Sequence, residues 1–256
     1  MSEEKHQVKK QPSTYWTSQR VGLFMLLSAV SFAVFGYLNQ HGQLFTPSLF
    51  VTDFYANIST ELISIAVTVL VIDNLNSRRT IQQEKDRLIL QMGSPTNSIA
   101  KEAVRILRVQ GWFIDGTLRG ANFLRANLQK AYLEEAYLAE ANFYKANLQG
   151  AYLQKCNLTG AKHLEDWQLV QIKYLRGAIL PDGLKYNGRF NLIGDLSWAH
   201  YGLHIPARSH KKMAEFYGVS IQDYRQGQLW AKKNLAKLRN IAKIQNRKKA
   251  ESVRDS

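Results

Sequence analysis

The chain opens polar and then turns apolar without interruption from Val21 to Leu38, VGLFMLLSAVSFAVFGYL, 18 residues that carry no charge. As a helix this run covers about 27 Å, close to the ~30 Å hydrocarbon thickness of a bilayer. Tyr15 and Trp16 on one side and Tyr37 on the other fall where interfacial aromatics are expected. A polar segment precedes the run and no small-x-small cleavage site follows it, which favours an uncleaved anchor over a signal peptide. A second apolar run, Leu62 to Ile72, has only 11 uncharged residues. Extended from Phe54 to Leu75 it reaches spanning length but takes in Glu61 and Asp73; a buried soluble helix is the competing reading. The flanking charges favour a span. Lys5, Lys9, Lys10 and Arg20 precede the first run, Arg78, Arg79, Lys85 and Arg87 follow the second, and the connection from Asn39 to Asn57 has no Lys or Arg. That distribution predicts a two-span hairpin, integral to a membrane, with both termini cytoplasmic.

Asn57, Glu61, Ser64 and Thr68 recur at spacings of four, three and four, one polar stripe on a helix. At membrane depth such a stripe faces protein or a water-filled cavity. The first alternative makes it a helix–helix contact, between the spans or between subunits of a homo-oligomer; the second makes it an ion or proton path through Glu61.

Past the apolar runs, Asn76 to Leu90 carries mixed charge and continues the helix until Gly93-Ser94-Pro95 breaks it. Ser98 to Gln110 reads as a second helix with Ala100, Val104 and Leu107 on one face and Gly111 at its C-cap.

From Gly116 the period changes to five: GTLRG, ANFLR, ANLQK, AYLEE, AYLAE, ANFYK, ANLQG, AYLQK, CNLTG, AKHLE. The central position is Leu or Phe from Leu118 to Leu158, and two residues earlier stands Gly, Ala or Cys156. Five is neither the 3.6 of a helix nor the 2 of a strand, so a repeat architecture is expected in which every fifth residue points inward. These units closely resemble the pentapeptide-repeat family, whose consensus is A(N/D)Lxx. The resemblance implies a right-handed quadrilateral β-helix with four pentapeptides per coil, coils stacked about 4.8 Å apart. It therefore places Tyr132 over Tyr152, Asn122 over Asn142, Asn127 over Asn147, Arg125 over Lys145 and Glu135 over Lys155. The pattern departs at His163, read as the end of regular coiling, with a helix-like stretch from Leu164 to Leu175 capping the open end. Gly177 to Pro181 then repeats the Ala-x-Leu spacing in a shifted register. Two spans, a connector, a short repeat block and this AILP ending also resemble a bacterial, notably cyanobacterial, group of pentapeptide-repeat proteins.

The expected fold class is thus mixed, and the expected segments are a cytoplasmic tail (1–20), a transmembrane α-helical hairpin (21–75), a helical connector (76–115), the repeat solenoid (116–165), an α-helical capping segment (166–206) and a basic helical tail (207–256).

Charge changes the picture mainly at the C-terminus. The 256 residues carry a formal net charge of +14. From Arg208 onward there are 13 Lys or Arg against 4 Asp or Glu. After a possible capping box, Ser220 to Asp223, helical spacing links Tyr224, Ala231, Leu235, Leu238 and Ala242. Lys232, Lys233, Lys237, Arg239, Lys243, Arg247, Lys248 and Lys249 cover much of the remainder, a basic amphipathic helix suited to an anionic leaflet or to packing on the domain. Ala214 and Gly218 have helix-turn-helix spacing, but the bulky Tyr224 sits where such motifs want Val or Ile, so nucleic acid is disfavoured as a partner. The DNA-mimic role that some pentapeptide-repeat proteins play needs an acidic tower; residues 116–165 carry six Lys or Arg and four Asp or Glu, which excludes it.

Chemistry is sparse. Walker, GxGxxG, HExxH and GxSxG motifs are missing from the sequence. His200 and His204 lack a third ligand, Ser209-x-x-Lys212 lacks its companions, and Cys156 fills a position that wants a small side chain. No catalytic, cofactor or metal residue is assigned. The expectation is a membrane-anchored interaction scaffold without enzymatic activity that binds a cytoplasmic protein through Tyr132, Tyr137, Tyr144 and Tyr152. An oligomeric channel or transport accessory using Glu61, and nucleic-acid binding through the tail, are the alternatives.

Overall fold

A computed structural model describes residues 18–41, 49–206 and 208–254. Its regular elements are all helical: α1 (Ser18–His41), α2 (Leu49–Met92), α3 (Asn97–Val109), α4 (Asp166–Leu169), α5 (Ile193–Ser197), a π-helical turn (Trp198–Gly202), α6 (His210–Tyr217) and α7 (Ile221–Arg254). The chain divides into two compact units, Met1–Gln82 and Gln83–Ser256, with α2 contributing to both.

In the first unit small residues set the helix contact. Gly22 and Ala29 on α1 and Ala66 on α2 are buried, and a Cβ on Gly22 would stand 3.0 Å from the Leu70 side chain. The large apolar residues around them, such as Leu23, Phe24, Leu27, Ile65 and Val71, are exposed. Among the described residues one stretch, Thr60–Met92, is long and apolar enough to cross a membrane by length and composition; its best window has a mean hydropathy of 1.2 and is 6% buried. The apolar stretch described in α1, Gly22–Ser31, is too short to do so. The two-span hairpin is corrected accordingly, together with the integral placement, the two cytoplasmic termini and membrane lipid as partner that rested on it. The physical reason is apolar length: the stretch described in α1 runs only from Gly22 to Ser31, and the apolar run of α2 is bounded by Glu61 and Asp73, which holds its best window to a mean hydropathy of 1.2.

The second unit is built on the five-residue period. In successive turns the N–H two residues before each central Leu or Phe donates to the central carbonyl of the previous unit, as from Ala126 to Phe123, Ala131 to Leu128 and Ala146 to Phe143. The last residue of each of the first nine pentapeptides has a positive φ: Gly120, Arg125, Lys130, Glu135, Glu140, Lys145, Gly150, Lys155 and Gly160. A turn closed by a four-residue hydrogen bond with φ > 0 at its third residue is a type II turn. Non-glycine residues occupy that strained position because the inward column over-determines it. Leu118, Phe123, Leu128, Leu133, Leu138, Phe143, Leu148, Leu153 and Leu158 are all buried, with the Ala or Cys two positions earlier buried beside them.

Successive coils touch through single-residue parallel bridges, Asn122 with Asn142, Asn127 with Asn147, Tyr132 with Tyr152 and Tyr137 with Asn157. None of these extends into a strand. The expected fold class is therefore corrected: among the described residues there is no strand and no sheet, so no right-handed β-helix of stacked strands, and regular secondary structure is helical. The reason lies in the turns. With a reversal every five residues, only one residue per side remains free to pair before the chain bends again.

The end of coiling expected at His163 is also corrected. The one-turn α4 interrupts the coil, which then resumes with Tyr152 bridged to Tyr174 and Asn157 to Ile179, a spacing of 22 in place of 20. Gln168 fills the gap: its buried Nε2 donates to the carbonyls of Phe143 and Ala146, each at 3.0 Å, supplying the donor that the next coil provides elsewhere. At the other end the connector serves the same purpose. Asn127 N–H donates to Ser94 O, Tyr137 N–H to Phe113 O, and Asn97 Nδ2 and Arg108 donate to the first coil's carbonyls at Asn127, Gln129 and Tyr132. Ala100, Ala103, Val104 and Leu107 of α3 join the same apolar core.

Beyond the coils, α5 presses close: a Cβ on Gly194 would lie 2.3 Å from the Lys173 carbonyl, so only glycine fits. Gly218, in the left-handed region, ends α6, and Ser220 caps α7 by accepting from Asp223 N–H. Tyr224, Ala231, Leu235 and Ala242 are buried, so the apolar stripe of α7 is used up in packing, with α4 and α6 among its neighbours.

A candidate ligand cleft beside the resumed coil

Within the second unit, one side of the coil and the C-terminal helices enclose a cleft of about 450 Å³. Gln154 and Arg176 come from the coils, Asp195 from α5, Trp198 from the π-helical turn, and Phe216 and Tyr217 from the end of α6. Its chemistry is set by what is buried and unpaired. Tyr217 is 2% exposed and its hydroxyl has no partner; Gln154 Oε1 is likewise buried without one. Both are lining groups. An unsatisfied buried polar group costs about 1–3 kcal/mol, so each of these oxygens gains from a hydrogen-bond donor.

Asp195 completes the set. Its carboxylate is 1% exposed and accepts from the Leu175 N–H at 3.2 Å, which ties α5 to the coil. Burial outweighs the hydrogen bonds from Leu175 and Arg176 and pushes its carboxyl up to about 7. Burial, reinforced by the nearby Asp195 charge, pushes the Tyr217 phenol well above its ordinary range. The cations at the cleft are mostly occupied. Arg108 lies 3.7 Å from Glu134, Lys155 2.8 Å from Glu135, and Arg176 donates from Nε to Phe216 O while its guanidinium covers the Phe216 ring at 4.7 Å. Beside the exposed Lys185 and Glu215 at its rim, the buried groups left over are acceptors and a hydroxyl.

The sequence-predicted residues are dispersed. Tyr132 and Tyr152 stack at 4.5 Å in a ladder that continues to Tyr174 at 5.3 Å and Trp198 at 6.5 Å, with Lys173 donating to the Tyr152 hydroxyl. Tyr137 belongs to the next side, over Asn157, and Tyr144 to a third, against His163. The four tyrosines thus do not form one surface. Glu61, Ser64 and Thr68 are exposed on α2, where Thr68 Oγ1 donates to its own helix at Ser64 O; the side chain of Asn57 lies outside the described residues. Lys232, Lys233, Lys237, Arg239, Lys243, Arg247 and Lys248 are exposed along α7, and the side chain of Lys249 lies outside the described residues. His200 Nδ1 is 2.7 Å from Ile205 O. Among the described residues no group of His, Cys, Asp and Glu could hold a metal ion. Cys156 is fully buried, which pushes its thiol up and leaves it a packing residue. Sequence reasoning missed Gln154, Asp195 and Tyr217. The one signal available was an acid among apolar neighbours, Leu192, Ile193 and Leu196 around Asp195.

A family model described as pentapeptide repeats matches residues 115–160 in eight copies. No curated protein and no solved structure matches the chain. The similarity is thus confined to the coils, and the wider resemblance to a two-span, cyanobacterial-like group is corrected to that segment. The membrane-anchored scaffold inferred from it is corrected as well. One weak candidate span stands where two were expected, the coils hold no strands, and the channel and nucleic-acid alternatives gain no site: Glu61 lies on an exposed helix face and the stripe of α7 is packed.

Proposed function

We propose that residues 83–256 form a binding module, without catalysis of its own, whose cleft takes a small ligand rich in hydrogen-bond donors, such as an ammonium or amide compound. The observation that carries this reading is that Gln154, Tyr217 and Asp195 line the same cleft, each with a buried side-chain oxygen, and that the oxygens of Gln154 and Tyr217 have no partner. A donor-bearing ligand relieves the desolvation cost of those atoms, and the Trp198 ring lines the cleft as an aromatic face for a cation.

Thermal unfolding of the full chain against ethylammonium, acetamide and acetate tests it. The first two raise the melting temperature in a concentration-dependent way and acetate does not. Tyr217→Phe raises the melting temperature of the free protein, because it deletes an unsatisfied hydroxyl, and weakens the response to ethylammonium several-fold. Equal responses of the two proteins, or no response to any donor, overturn the reading.

A further inference from the structure

A second cleft, of about 560 Å³, lies elsewhere in the same unit, between a different side of the coil and the last turns of α7. Its charged lining is Arg125, Lys145 and Lys248, and no carboxylate lines it. The coil explains why this is unusual. Residues one coil apart are neighbours, and where charges meet in that way they are matched: Lys155 reaches Glu135 at 2.8 Å, and Arg119 reaches Glu140 at 2.7 Å. Arg125 and Lys145 occupy equivalent positions, locked one above the other by the hydrogen bond from Arg125 N–H to Tyr144 O, yet they carry like charge. Like charges on adjacent rungs repel. Lys248 then brings a third cation to the same space from α7, which is tied down there by Asn246 Nδ2 donating to Gln171 Oε1 at 2.8 Å. No ion pair relieves any of the three among the described residues; Lys145 Nζ lies 5.2 Å over the Tyr144 ring, and the nearby Glu165 carboxylate accepts from the Trp167 indole.

We infer that this cleft is a binding site for a phosphate-bearing small molecule, whose dianion is the missing counter-charge between Arg125, Lys145 and Lys248. The site is independent of the cleft at Asp195. A phosphate offers acceptor oxygens enough for all three cations, with Arg125 able to engage two of them through its fork. The Trp167 ring and the Asn246–Gln171 amide pair supply a flat apolar face and polar groups for the rest of the ligand.

The test is calorimetric titration of the full chain with inorganic pyrophosphate, beside sedimentation with phosphatidylcholine vesicles containing phosphatidylglycerol. Pyrophosphate binds the wild-type chain, and Lys248→Ala lowers its affinity about tenfold without altering the melting temperature. Lys145→Glu is the decisive variant. Glutamate is already accepted at this backbone position at Glu135 and Glu140, so the chain folds, and the new Glu–Arg125 pair holds or raises the melting temperature while pyrophosphate binding is lost. Unchanged affinity in Lys145→Glu, no pyrophosphate binding by the wild-type chain, or binding to the anionic vesicles alone each overturns the inference.

Discussion

Leu138 in the coil is fully buried, whereas Leu27 in α1 is 57% exposed. The two regions use the same apolar residue types and treat them in opposite ways. In the coil, a reversal every five residues brings each central side chain back to the same axis, where the coils above and below and the connector close over it. In the first unit, the described residues that are buried are Gly22, Ala29 and Ala66, while Leu23, Leu27, Val30, Ile65 and Val71 are exposed. Apolar composition therefore does not tell what is core. The path of the backbone decides, because burial needs neighbours on every side.

Four substitutions sharpen that contrast. Phe143→Ala empties the centre of the column, where Phe143 lies 5.4 Å from Phe123, and lowers stability by about 3–5 kcal/mol in urea unfolding; a loss under 1 kcal/mol would mean that the column is not continuous. Asp195→Asn comes next, read as pH dependence. The folded carboxyl titrates at about 7, against about 3.9 in the unfolded chain, so the folded state holds a proton that the unfolded state has lost. Stability falls by about 3–4 kcal/mol as pH rises from 4 to 7 and is level above, and the asparagine variant flattens that slope. Gln168→Leu removes the donor to Ala146 O at the interruption of the coil and costs about 1–3 kcal/mol, measured by urea midpoint. Leu27→Ala has the smallest effect, within about 0.5 kcal/mol, since an exposed side chain loses little burial.

The interruption at α4 marks the limit of reading by period. A count of five places Asn122 beside Asn142 and Tyr132 beside Tyr152, once the resemblance supplies four units per coil, and those neighbours are seen. At His163 the period fails, and a failed period looks like an end. The chain in fact folds one helical turn, spends two extra residues, and rejoins the same stack at Tyr174. The shifted Ala-x-Leu spacing at Gly177 to Pro181 hints at the return, but nothing local shows that it rejoins the same stack, because the donor that makes the gap tolerable is a single side chain, Gln168, whose acceptors lie 22 and 25 residues away. The continuation of the second helix past its apolar run to Met92 was legible, but the number of spans was not, because flanking charges point to spans that apolar length does not support: Gly22–Ser31 is too short, and Thr60–Met92 reaches a mean hydropathy of only 1.2.

By itself the sequence determined the inward column from Leu118 to Leu158, the cap at Ser220 and the packing stripe of α7, while the neighbours one coil apart also needed the four units per coil that the resemblance implies. All are short-range or strictly periodic, so the residue types and their spacing carry the information. Only the tertiary structure decided that the bridges stay single residues, that the coil resumes after α4, and that Gln154, Asp195 and Tyr217 meet in one cleft while Arg125, Lys145 and Lys248 meet in another. Those constellations join residues 20 to more than 100 positions apart. Their chemistry depends on burial and on which partners are absent, properties of the packed chain that no window of sequence contains.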